Sequence, residues 1–324
     1  MSGLDFTLVP LEDGNVAALL ARVPTAAGVA QILGPEEKSL LIARPANLRR
    51  WVATQLGAGP PPKKGVRPPT NLTPITTAVA YAVTSSPFAQ RLAFERLMGR
   101  YVPLAKRRDL KPPVYVHLDP VARFPRLTVR PSSAEREHLY GPFRNRAAAT
   151  AAIDVLQELF PLRPCDFAFE PAVDLALGLG CVFAQVKTCA APCLSRVSED
   201  DYRALASRAA DVLRAPAETR PEALAARVPP WAGAAAGARG LVAEKGREGL
   251  ELYPVVEGAV VEEHSVTTPA EGLEAALRGL DWSRPAEARD DTPWLLPWLH
   301  GKRTGRYLAV PEDEPAEKTA SRLF

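Results

Sequence analysis

The chain has 324 residues but only four cysteines, and all four fall in one short window. Cys165 stands in FPLRPC, and Cys181, Cys189 and Cys193 in CVFAQVKTCAAPCLSRVSEDDY, giving the spacing C-x15-C-x7-C-x3-C. Thiolates repel one another and bury poorly, so such a group calls for a cation between its members or for disulfides. The N-terminus, MSGLDFTLVPLEDG, has no basic stretch leading into an apolar one. That predicts no secretory leader and a reducing, cytoplasmic setting, where clustered cysteines bind metal more often than they pair. With no histidine close by, four sulfur ligands suit tetrahedral zinc and an iron–sulfur cluster alike, and the spacing does not choose between them.

A second group of residues could act on phosphate. The net charge is only +3 and the pI about 8.7, so the distribution of charge matters more than its sum. Lys63, Lys64 and Arg67 lie in a proline-rich stretch, and Lys106, Arg107, Arg108 and Lys111 form a run. With Arg49 and Arg50 these can neutralise backbone phosphates, although basic runs are commonly no more than a solvated face. Glu95, in AFERL, borders the apolar side of its helix; at such a position a salt bridge is the default and a metal the exception. Four scattered histidines have no metal-ligand spacing. Trp294 and Trp298 are expected to pack rather than to stack on bases. No apolar run is long enough to cross a bilayer, so no membrane partner is expected.

The elements that must position these groups follow from periodicity. GVAQIL (Gly28–Leu33) and SLLIA (Ser39–Ala43) read as strands joined by a Gly-Pro turn. Asn47 caps a helix carrying Leu48, Val52 and Leu56. Residues 57–74 hold too many prolines for regular structure and form an exposed basic loop. AVAYAV (Ala78–Val83) alternates like a half-buried strand, and Ser85 or Ser86 caps a helix running to Tyr101. PVYVHL and RLTVR are strands, LYGPF is a turn, and Ala147–Phe160 is a helix stopped by Pro161. Ser198 with Asp201 starts another helix, striped by Tyr202, Leu205, Ala209 and Val212. GLELYPVVEGAVVEEHSV is a hairpin turning at Glu257-Gly258, and a short helix spans Glu271–Leu280.

These stretches resemble a known family. FPLRPC, Cys181 and TCAAPCLSRVSEDDY are similar to the central region of UvrC, the incision subunit of bacterial nucleotide excision repair, and of its shorter homologue Cho. FPRLTV and LYGPF…AIDVLQELFPLRPC extend the likeness. VPTAAGVAQIL…LLIARPANLRRWV resembles the opening of the GIY-YIG nuclease domain, and LAFERLMGRYVP its catalytic helix. The resemblance implies a 4Fe–4S cluster on Cys165, Cys181, Cys189 and Cys193, with zinc as the alternative cofactor. It also implies DNA as a partner, alongside another repair protein or nuclease.

The nuclease motif is eroded. The two tyrosines that would orient or deprotonate the attacking water fall at Ala30 and Leu41, and the arginine of the first helix at Trp51. Arg44 retains the basic position, and Glu95 matches the glutamate that holds Mg²⁺ or Mn²⁺. Alanine and leucine cannot accept a proton, so the resemblance implies a pseudo-nuclease with Arg44 and a vestigial Glu95. The alternatives are a nuclease rebuilt from groups such as Tyr81, and a redox or iron sensor.

The expected architecture is α/β of the α+β kind, in six parts. Residues 1–18 are an extension, 19–106 a small antiparallel GIY-YIG-like domain, and 107–214 a mixed domain with the cysteine cluster. Residues 215–240 are a linker, 241–312 a small hairpin–helix domain, and 313–324 a mobile polar tail.

Overall fold

A computed structural model describes the chain except for residues 1–4, 62–64, 66–68, 104, 105, 108, 132–137, 174–180, 216–218, 229–238, 285–289, 302, 304 and 324. The protein is α+β, built on small antiparallel sheets, and divides into two compact units. One unit holds Met1–Arg108 with Glu244–Glu251 and Thr267–Gly272; the other holds Asp109–Ala243, Leu252–Val266 and Leu273–Phe324.

The first unit begins with β1 (Thr7–Pro10), α1 (Val16–Arg22), β2 (Gly28–Leu33) and β3 (Ser39–Ala43). It continues with α2 (Leu48–Gln55), β4 (Ala78–Val83) and α3 (Pro87–Met98). The sheet order is β1-β4-β2-β3 with antiparallel neighbours. Ala30 and Ile32 of β2 pack with Leu19, Leu48, Val52, Val79 and Tyr81 on one face. Val29 packs with Ala93 and Leu97 of α3 on the other. Covering on both faces buries β4 from Ala78 to Ala82, correcting the half-buried expectation; Ala78 and Ala80 pack with Leu33 and Phe6 on the second face. The expected N-terminal extension supplies β1, paired to β4 and burying Val9. Four residues, one of them proline, were too short a run to reveal that strand.

Capping fixes where the helices start. The Asn47 side chain accepts from the Arg50 N–H, and the Ser86 hydroxyl accepts from the Ala89 N–H. The start of α3 also meets two carboxylates from residues 244–251. The Ser86 hydroxyl donates to Glu251 at 2.6 Å and the Phe88 N–H donates to Glu244. Buried carboxylates there complement the positive end of the helix dipole. Glu244 and Glu251 lie more than 150 residues from their partners, beyond the reach of local patterns.

The second unit opens with β5 (Val114–His117), β6 (Thr128–Pro131) and β7 (Leu139–Phe143), in the order β6-β5-β7. The segment LYGPF, expected as a turn, is β7, buried throughout. As an edge strand it tolerates Pro142, which lacks a donor. Its pairing with β5 shifts register between Val114 and Val116. Then come α4 (Arg146–Leu159), α5 (Val182–Gln185), α6 (Glu199–Arg214) and α7 (Glu222–Ala225). Phe143, Ile153, Leu156, Leu162, Tyr202 and Leu213 form one core. Leu224 and Val228 join it, so part of the expected 215–240 linker is packed structure. Its alanine-rich composition concealed two well-placed anchors.

The C-terminal strands are β8 (Arg239–Lys245), β9 (Leu250–Val256), β10 (Ala259–Val260), β11 (Val266–Thr268) and β12 (Arg306–Val310). They run β10-β9-β8-β12, with β11 on β9. Glu257 and Gly258 turn the β9–β10 hairpin, both at positive φ, as a type I′ turn requires. The helices are α8 (Leu273–Arg278), α9 (Thr292–Leu299) and α10 (Ala316–Leu323). Trp294 and Trp298 are buried and edge-to-face. The expected mobile tail is α10, whose Thr319, Ala320 and Leu323 are buried and whose Arg322 grips Glu314. Among the described residues, no helix is long and apolar enough to cross a membrane.

Candidate functional site

All four cysteines are free thiols in the second unit, Cys189 and Cys193 buried and Cys165 and Cys181 half-buried. The segment after α4 enters the site through backbone bonds. The Ala190 N–H donates to Pro161 O at 2.7 Å, and the Ala172 N–H to Cys193 O at 3.1 Å. Cys181 caps α5, its carbonyl accepting from Ala184 and Gln185. Lys187, Ala191 and Ser195 all have positive φ, a conformation that side chains other than glycine rarely adopt. The Ala191 N–H points at Cys189 Sγ, 3.3 Å away.

Beneath this loop Tyr202 of α6 is fully buried. Its hydroxyl accepts from the Arg163 N–H at 2.6 Å and donates to Pro125 O at 3.1 Å. Arg163 in turn donates to Phe124 O and Phe167 O and lies over the Phe169 ring. These bonds tie the Cys165 segment to the end of the β5–β6 connection and to α6. Ser198 caps α6, accepting from the Asp201 N–H and donating to the Asp201 carboxylate, as the sequence predicts.

Burial pushes the Cys189 thiol up to about 11, and the charges of Cys165, Cys181 and Cys193 add to the effect. Cys193 is raised too, first by burial and then by Cys181 and Cys165. Among the described residues, however, no three His, Cys, Asp or Glu side chains form a group that could hold a metal ion. The donor chemistry fits a soft metal or a cluster; the ligand geometry is not closed.

In the first unit Glu95 of α3 is buried, and both its oxygens are engaged. Arg107 donates to them from Nη1 at 2.9 Å and Nη2 at 3.3 Å, and Arg91, one turn earlier on α3, pairs with Oε1. The Arg91 pairing was legible as an i,i+4 spacing; the Arg107 pairing was not. Arg107, expected as a DNA contact, is buried against Glu95, because a buried carboxylate demands a paired charge. Arg44 is exposed beside the Phe94 ring.

Ala30 and Leu41 present no titratable side chain. Tyr81 lies directly across from Ala30, with its hydroxyl donating to Arg22 O at 2.9 Å. It belongs to the face packed by α1 and α2, whereas α3 packs on the opposite face, so Tyr81 and Glu95 are not brought together. Gln31, on the α3 face, donates to the Tyr101 hydroxyl at 2.7 Å.

Of the other expected DNA contacts, Arg49, Arg50, Lys106 and Lys111 are exposed. Arg49 is anchored by a bond from its Nε to Val23 O at 2.6 Å. Lys63, Lys64, Arg67 and Arg108 lie outside the described residues.

Residues 114–212 match the family model of the UvrC/Cho excinuclease middle domain. The chain is similar to the UvrABC system protein C of Hyphomonas neptunium, 29% identical over 207 residues, covering 60% of this chain and 31% of the relative. That of Methylobacillus flagellatus is 27% identical over 186 residues, 57% of this chain and 30% of the relative. That of Novosphingobium aromaticivorans is 33% identical over 135 residues, 40% of this chain and 20% of the relative. The chain is thus similar to these proteins over part of its length, and its matches span less than a third of each of these relatives. No solved structure matches it.

Proposed function

We propose that this protein acts in DNA repair as a non-incising, UvrC-like DNA-binding factor. In this reading its first unit is a GIY-YIG-like nuclease domain that has lost its chemistry, and its second carries a 4Fe–4S cluster. The observation that carries the reading is the engagement of Glu95. The carboxylate at the position where the resemblance expects a divalent metal, Glu95, is buried and clamped by Arg91 and Arg107. Mg²⁺ needs open oxygen ligands, and here both oxygens already accept from guanidiniums. Ala30 and Leu41, at the positions of the tyrosines, cannot activate water as general bases.

Cys165, Cys181, Cys189 and Cys193 would ligate the cluster as thiolates, which would fix the loop and offset the burial that otherwise keeps Cys189 and Cys193 protonated. Exposed Arg44, Arg49, Arg50, Lys106 and Lys111 supply phosphate contacts, as would Lys63, Lys64, Arg67 and Arg108. The partner in incision would be a separate nuclease or repair protein.

Mn²⁺ titration followed by electron paramagnetic resonance tests the clamp. The expected result is no tight Mn²⁺ site in the wild-type protein. A bound Mn²⁺ that disappears in Glu95→Gln would overturn the proposal.

A further inference from the structure

Three guanidiniums surround the ring of Phe94 on α3. Arg44, Arg91 and Arg107 lie 5.8, 5.9 and 5.6 Å from its centroid. They arrive from three places: the residue after β3, the middle of α3 and the loop beyond it. Cation–π attraction to the shared ring offsets part of the repulsion among the like charges.

The carboxylate nearby does not serve all three. Residues 84–108 contain six basic side chains and a single acid, Glu95. Glu95 pairs with Arg91 and Arg107. Arg44 is exposed, touches the ring, and has no carboxylate partner among the described residues. Arg100 and Lys106, also exposed, extend the positive surface around the C-terminal end of α3. A guanidinium offers parallel N–H donors that match a phosphate, and a ring-stacked one is held in place before the ligand arrives.

We propose that Arg44, Arg91 and Phe94 form a metal-independent site for a phosphodiester of DNA, with Arg107 taking at Glu95 the place a divalent cation would hold. The site rests on the non-incising reading of this unit. It gives that unit a remaining task, which is to grip the backbone without cutting it. Arg44 makes the contact, the Phe94 ring holds its guanidinium, and Arg91 and Arg107 share Glu95, supplying charge balance that elsewhere comes from a metal.

The test is fluorescence anisotropy of labelled oligothymidylate with the full chain, across a salt series, in EDTA and in Mg²⁺. The expected affinity is the same in both. Arg44→Gln should weaken binding about three- to tenfold at low salt and lower the log–log salt slope by about 0.7, the loss of one phosphate contact on a single strand. Phe94→Leu, which leaves the Glu95 ion pairs in place, should weaken binding less. Arg278→Gln, in the second unit, should change neither quantity. Affinity that requires Mg²⁺, or an unchanged slope in Arg44→Gln, would overturn the site. Incision of the DNA would instead sink the non-incising reading, so the two failures are distinguishable.

Discussion

Replacing Arg107 with methionine removes the guanidinium that holds Glu95 but keeps most of the side-chain volume. The two side chains are 4% and 3% exposed, so the pair is desolvated and water cannot take the place of the missing donor. Breaking a buried ion pair from one side costs about 3–5 kcal/mol, because the other charge stays buried. Arg91 remains on Glu95 and retains part of the interaction, which lowers the expectation to about 2–4 kcal/mol. Loss of the contact with Phe94 adds up to about 1 kcal/mol. Urea unfolding of wild type, Arg107→Met, Glu95→Gln and the double variant gives a cycle with an expected coupling of about 1–3 kcal/mol. If Glu95 were instead a metal ligand, wild-type stability would rise with added Mn²⁺. A cost for Arg107→Met below about 1 kcal/mol, or Mn²⁺-dependent stabilisation of the wild type, would refute the clamp.

Three further outcomes follow from the same structure. The Cys189 thiol is raised by burial from 9.0 to about 11. In iron-free protein this group therefore contributes stability below pH 9 that is lost as pH rises toward 11. The loss is at most about 2–3 kcal/mol, seen as a falling melting temperature whose slope shrinks in Cys189→Ser; the same variant should lose iron and sulfide after anaerobic purification. Tyr202→Phe leaves the Arg163 N–H and Pro125 O without their buried partner, and should lower stability by about 1–3 kcal/mol in thermal unfolding. Gly28→Ala would place a Cβ 2.2 Å from Ala82 O and 2.8 Å from Leu48 Cδ1. It should disrupt β2–β4 pairing, with faster amide exchange in both strands and a cost on the order of 2 kcal/mol or more.

Much of the fold was legible because local chemistry agreed with the final packing. Ser198 with Asp201, Asn47, and the Glu257-Gly258 turn each specify a boundary within a few residues, and the structure places each where its side chain or backbone requires it. Strands β2, β3 and β4 were marked by β-branched and apolar runs. What escaped notice depended on distant partners or on composition. The β7 segment looks like a turn because of Gly141-Pro142, yet its edge position needs no donor from the proline. The α10 helix hides its three buried residues among charges. Glu244 and Glu251 gain their role only when residues 244–251 meet α3.

The candidate sites divide in the same way. Cysteine spacing raised a sulfur site as an expectation; Cys189 and Cys193 are buried and Cys165 and Cys181 half-buried, and among the described residues no group that could hold a metal ion is formed. Glu95 was recognisable as a helical carboxylate with Arg91 one turn away, but Arg107 could be read only as one member of a basic run. Its burial reversed that expectation, because a run of like charges in sequence says nothing about which member turns inward.

The most direct measurement is incision of lesion-bearing, nicked and single-stranded DNA by anaerobically purified, iron-loaded protein with Mg²⁺ or Mn²⁺, beside Glu95→Ala. Intact DNA in every lane, with salt-dependent binding retained, is the predicted result. Cleavage by the wild type that disappears in Glu95→Ala would contradict it, and would mean that Glu95 leaves its arginines to hold a metal.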